Sequence, residues 1–136
     1  MRIDFLELED VLLIHRDQIA RYGGDPAVRD LGLLESAIAQ PRDSFEGRYL
    51  HRDLIEMAAA YLYHVVGNHP FVDGNKRTGS VAAIVFLDLN GVELRVGNDR
   101  FADFVFSVAK GDMDKAEVAR FLGRHTVRRR PRRKHR

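Results

Sequence analysis

The chain has no cysteine among its 136 residues. That excludes a disulfide framework and any thiolate-held metal, and it fits a cytoplasmic location, which is the expectation. No apolar run reaches the ~18–20 residues that cross a bilayer, so no membrane attachment is expected. Met1-Arg2-Ile3-Asp4-Phe5 has no long apolar stretch, and no secretory signal is expected there. No internal repeat is present. No alternation of strands with helices appears, so a parallel sheet is not expected. Residues 124–136 contain no acid but hold eight of the 22 Lys and Arg, leaving 14 basic against 20 acidic side chains in residues 1–123, a net of −6. The overall +2 therefore joins an acidic body to a basic tail. The basic pI belongs to the tail and does not make the body a nucleic-acid binder.

What the chain does have is apolar residues at helical spacing. Leu8, Val11, Leu12, Ile14 or His15, Ile19 and Tyr22 predict a helix over 6–22, ended by Gly23-Gly24. Asp25-Pro26 opens a turn. Asp30 precedes a second run through Leu33, Leu34, Ala37 and Ile38, which Pro41 stops. Residues 42–51 read as loop. Asp53 to Val66 is apolar nearly all round and is the candidate central helix. A helix over about 77–89 follows a polar loop, then a short strand at 92–96 and helices at 101–109 and 115–122. The expected fold is all-α: a helical bundle around a buried central helix, with at most one or two short strands. The domain is expected over 1–123, with 124–136 a disordered, solvated arm.

The loop His69-Pro70-Phe71-Val72-Asp73-Gly74-Asn75-Lys76-Arg77-Thr78 carries six polar or ionisable side chains between two apolar helices. Each suits phosphoryl or nucleotidyl transfer. The start of the next helix offers free N–H groups and a positive dipole end. Gly74 lets backbone approach a phosphate. Lys76 and Arg77 add charge, one as a point and one as a fork. Asp73 is a hard oxygen ligand of the kind Mg²⁺ takes singly or in pairs; its plain alternative is a capping acid. His69 titrates near neutrality and can act as a general base. Phe71 anchors the loop. Thr78 reads as a first-turn helix residue and His64 as a core histidine. His15 has no partner pattern, nor has His51, although Arg48, Tyr49 and His51 could flank a target protein.

This string resembles the signature of the Fic/Doc family, His-x-Phe-x-Asp-(Gly/Ala)-Asn-(Gly/Lys)-Arg. Arg21-Tyr22-Gly23-Gly24, the run Leu31-Gly32-Leu33-Leu34-Glu35-Ser36-Ala37, and Phe86-Leu87-Asp88-Leu89-Asn90-Gly91 extend the likeness over residues 3–123. They are similar to the death-on-curing (Doc) branch. AMP transferases of the family carry Gly where this chain has Lys76, and a second Arg where it has Ser80. The resemblance thus implies a toxin that binds ATP in the reversed sense, with Mg²⁺, and phosphorylates a threonine of elongation factor Tu, arresting translation. It implies that His69 is the base, that Asp73 positions Mg²⁺, and that Gly74, Asn75, Lys76 and Arg77 hold phosphates. Catalytic roles fall on His69, Asp73, Lys76 and Arg77.

Such toxins are silenced by an antitoxin. The self-inhibitory string (Ser/Thr)-x-x-x-Glu-(Gly/Asn) is absent, since Ser44-Phe45-Glu46-Gly47 has the wrong spacing. An antitoxin acting in trans, through a helix in an apolar groove, is therefore expected. Three other readings stand beside the kinase. One is AMP transfer by the same loop. Another is a catalytically silent antitoxin-binding module. The last is nucleic-acid binding through the tail, where charge alone supports only non-specific, salt-sensitive contact.

Overall fold

The most apolar segment of the chain becomes the hub of the fold. The structure, a computed structural model, describes residues 2–129. Its helices are α1 (Leu8–Tyr22), α2 (Leu31–Ala39), α3 (Leu54–Asn68), α4 (Asn75–Leu89), α5 (Asn98–Ala109) and α6 (Lys115–Arg124). The Asp53 carboxylate accepts from the Glu56 N–H and starts α3. Nine residues of α3, from Leu54 to Val66, are buried. Helices α2, α4, α5 and α6 all pack on it.

Helix α4 comes closest. A Cβ on Gly79 would lie 2.8 Å from Val66 Cγ2 and 3.4 Å from the Leu62 carbonyl oxygen, so only glycine lets the two helices cross at this separation. Phe86 continues the contact, its ring 5.1 Å from that of Tyr61. Tyr61 is fully buried, and its hydroxyl accepts from the Leu6 N–H at 2.9 Å. Burial pushes its pKa up to about 12.

The chain is all-helical in class, with four strands of two or three residues where one or two were expected. Strands β1 (Ser44–Phe45) and β2 (Arg48–Tyr49) form an antiparallel hairpin inside the segment read as loop. Its two-residue turn, Glu46-Gly47, has positive φ at both positions, 52° and 79°, as a right-twisted hairpin requires. Strand β3 (Val92–Leu94) pairs with β4 (Thr126–Arg128), Val92 opposite Arg128. The Arg129 N–H then donates to the Gly91 carbonyl at 2.9 Å, and its guanidinium pairs with Asp88. The chain thus stays on the body for six residues past the boundary drawn at 123. Residues 124–129 are thus ordered against the expectation of a disordered arm, and the rest of that arm, 130–136, lies outside the described residues.

Three helix starts shift. The first falls at Leu8, because Asp10 accepts from the Glu7 N–H at 2.7 Å and fixes the turn there. Leu6 is left buried against the core instead. Another falls at Asn75, two residues before the expected Arg77, and the third at Asn98, three residues before the expected Phe101.

Candidate active site

The loop between α3 and α4 is built from backbone that few residues adopt. Helix α3 ends on His69 in the left-handed conformation, φ 50° and ψ 54°. A side chain there carries strain of order 1 kcal/mol, which its surroundings must offset. Arg29 does so. Its Nε donates to the His69 carbonyl at 2.6 Å and its NH2 to the Asn68 carbonyl at 2.9 Å, pairing a cation with the open C-terminal end of α3. The Arg29 and Asp30 N–H groups both donate to the Pro70 carbonyl, at 2.7 and 3.0 Å. The Val72 N–H donates to the Ala27 carbonyl at 3.1 Å. Residues 27–30 thus form a rail along the start of the loop.

Below the loop lies α1. Phe71 is buried, and the ring of His15 stacks on it at 3.7 Å, nearly parallel at 6°. His15 Nε2 donates to the Asp73 carbonyl at 2.8 Å. Gly74, at φ 84°, then reverses the chain; a Cβ there would lie 3.3 Å from Ile19 and 3.5 Å from His15. Phe71 is the anchor the sequence implies.

Asn75 is buried and closes the loop from inside. Its Oδ1 accepts from the Phe71 N–H and its Nδ2 donates to the Phe71 carbonyl, both at 2.9 Å. The same Nδ2 lies 3.4 Å from His69 Nδ1, long enough to orient the ring without locking its tautomer. The amide expected to hold phosphate is thus engaged within the loop, and Asn75 is a positioning residue here. Thr78 is likewise turned inward, its hydroxyl buried with no partner.

The outward face of α4 is different. Among the described residues no side chain caps its start, so the N–H groups of its first turn keep the positive end of the helix dipole open. Lys76 and Arg77 are exposed at this end, and the Arg77 guanidinium sits 4.9 Å over the ring of Tyr22. Ser80 donates to the Lys76 carbonyl at 2.7 Å. These residues border an open cleft of about 690 Å³ that continues past Ile84 to Phe106. His69 is exposed, and its Nε2 meets no protein group among the described residues. Asp73 is also exposed; its Oδ2 accepts from the Asp25 N–H at 2.7 Å, leaving Oδ1 for a ligand. It does not cap α4.

The structure therefore places His69, Asp73, Gly74, Lys76 and Arg77 at one helix start and puts Asn75 beneath them. Sequence reasoning missed Arg29, His15 and Asp25. Only His15 left a trace, as a polar residue at a helical-period position on the buried face of α1. Of the residues proposed to flank a target, Arg48 and Tyr49 are exposed. His51 is buried instead, because it packs against Lys115, whose Nζ lies 3.1 Å from its Nε2.

The Fic/DOC family model matches residues 5–87. A protein named Toxin Doc from Mycolicibacterium smegmatis is 42% identical over 118 residues, covering 85% of this chain and 88% of that protein. A protein named Protein kinase doc from Escherichia phage P1 is 36% identical over 118 residues, covering 85% of this chain and 90% of that protein. The family model's span contains the whole loop, all of α3 and α4 as far as Leu87, and the chain belongs to the Fic/Doc family.

Proposed function

We propose that this chain is a Doc-type toxin that transfers the γ-phosphoryl group of ATP to a protein hydroxyl, a threonine of elongation factor Tu, and so arrests translation in the cytoplasm. The observation that carries this reading is the division of labour at the start of α4. Asn75 and Thr78 turn inward, while uncapped N–H groups, Lys76 and Arg77 turn outward beside an exposed His69. Phosphoryl transfer needs mainly positioning and positive charge around the moving group, and this end supplies both. The names of the two relatives support it.

In this reading the nucleotide phosphates lie against the α4 N–H groups, Gly74, Lys76 and Arg77. The acceptor hydroxyl loses its proton to His69 Nε2 as its oxygen bonds the γ-phosphorus. The bond to the bridging oxygen breaks, and ADP leaves. Asp73 Oδ1 suits Mg²⁺, which takes one or two carboxylates and completes its shell with phosphate and water. When bound, the ion neutralises phosphate charge. Two features favour the γ-phosphate over AMP transfer. Lys76 fills the place where AMP transferases keep glycine. Ser80 is short and bonded back to its own helix, so it gives the polyphosphate no second fork. An antitoxin acting in trans would silence the chain, and the apolar length of the cleft, from Tyr22 to Phe106, suits a partner helix.

The test is intact mass. The chain, freed of antitoxin, is mixed with ATP, Mg²⁺ and elongation factor Tu, with a His69→Ala control. A phosphate-sized gain that needs His69 is expected. An AMP-sized gain would assign the loop to AMP transfer. No gain on any acceptor would favour a silent antitoxin-binding module.

A further inference from the structure

On another face of the molecule, between α3, α6 and the β1–β2 hairpin, lies a second polar cluster that the loop chemistry does not use. Lys115 Nζ sits 3.1 Å from His51 Nε2 and 3.2 Å from His64 Nε2. Two imidazoles thus converge on one amine. Among the described residues no carboxylate stands within ion-pair distance of it. Glu56, on α3, is paired with Arg52 at 3.0 Å. Asp114 and Glu117, on α6, bond each other's backbone N–H groups at 2.8 and 2.9 Å. Asp43 and Glu56 act on Lys115 only from farther away. Lys115 is also the first residue of α6, where the helix dipole opposes a cation.

We propose that Lys115 is a nucleophilic lysine, acylated in this cavity by small acyl phosphates. The cavity is about 590 Å³ and is lined by His51, Arg52, Glu56, Lys115 and Arg120. That space admits a small donor. Arg120, which has no partner among the described residues, supplies positive charge for an anionic one. His51 is only 8% exposed, and its Nδ1 is buried without a partner. A buried imidazole nitrogen without a partner is less costly as a lone pair than as an orphaned N–H. That puts the His51 proton on Nε2, aimed at Nζ, and an amine accepts it only when neutral. Burial pushes the Lys115 ammonium below its usual value and the two imidazoles with it, His64 to about 4.

In the step itself the His51 N–H releases the single Nζ lone pair, which attacks the acyl carbon, and a C–N bond forms. The bond from that carbon to the phosphate oxygen breaks, and inorganic phosphate leaves. The surplus proton on nitrogen passes to His64 Nε2. The amide product cannot carry charge, so the link from α6 to both histidines changes.

The test uses the full chain and acetyl phosphate near neutral pH, with acetylation followed at each lysine by peptide mapping. Lys110 is the internal reference, since Asp112 holds it as an ion pair at 3.3 Å. Lys115 is expected to acetylate at least severalfold faster than Lys110, because burial leaves more of its amine neutral. Its rate should level off at a lower pH than that of Lys110. A His51→Gln/His64→Gln variant should bring Lys115 back to the Lys110 rate. The pH profile of the unaltered chain stands even where that variant fails to fold. Equal rates at the two lysines, with the same pH profile, would overturn the proposal.

Discussion

Arg29 reaches the motif from a distance of 40 residues, and His15 from 58. Neither belongs to the string His69–Arg77, yet both bond its backbone carbonyls. Arg29 satisfies the two carbonyls at the end of α3 and thereby holds His69 in a conformation that it would not adopt alone. An Arg29→Ala change should therefore loosen the His69 ring more than it loosens the fold. The expected outcome is a 10- to 100-fold fall in transfer rate, the usual effect of misplacing a reacting group, with a stability loss of about 1 kcal/mol. Single-turnover kinetics beside a urea titration checks it, and an unchanged rate would show that the turn holds itself. The motif was legible in the sequence because its residues are consecutive. Arg29, His15 and Asp25 were not, because an isolated polar residue carries no mark of a partner dozens of positions away. Asn75 was legible as important but not in its task. Only the geometry of Phe71 shows that its amide faces inward.

At the scale of elements, helical period and turn residues located all six helices, and the apolar run 53–66 identified the hub. Their ends were less legible. Helix α4 starts two residues early because Gly74 in the left-handed region and the Asn75–Phe71 bonds create the turn, an effect no periodicity displays. The hairpin at 44–49 escaped notice since its strands are two residues long and exposed. The α3–α4 crossing depends on one missing side chain. Gly79→Ala should gain up to about 1 kcal/mol in helix propensity and lose about 1–3 kcal/mol in overpacking. Loss should win, because the nearest atom belongs to the fully buried Val66. A net destabilisation of about 1–2 kcal/mol in a urea titration is expected, and a gain in stability would contradict the close crossing.

For the molecule as a whole, charge and burial set the response to pH. His64 is held neutral, its pKa lowered to about 4 by burial first, then by Lys115 and His51. His51 is lowered for the same leading reason. The unfolded chain binds these protons near the ordinary histidine pKa of about 6.5, the folded chain only at lower pH. Between those values the unfolded state holds more protons, so stability rises with pH there. The contribution is complete above about pH 6.5 and is lost as pH falls toward about 4. Allowing for solvent screening at the half-buried His64, the loss is on the order of 1 kcal/mol. Thermal melts between those limits should show it, and a His64→Gln variant should show less of it. The acidic body and basic tail were legible from composition. The closure of the body by β4 was not, because three residues with arginines on either side look like solvated chain until β3 is seen beside them.

The most direct measurement of phosphoryl transfer gives the chain and elongation factor Tu ATP labelled on its γ-phosphate in one reaction and on its α-phosphate in another. Label should enter the acceptor from the γ-position alone, and none should enter with His69→Ala. Label entering from the α-position would contradict the roles given to Lys76 and Ser80 and would make this helix start an AMP-transfer site.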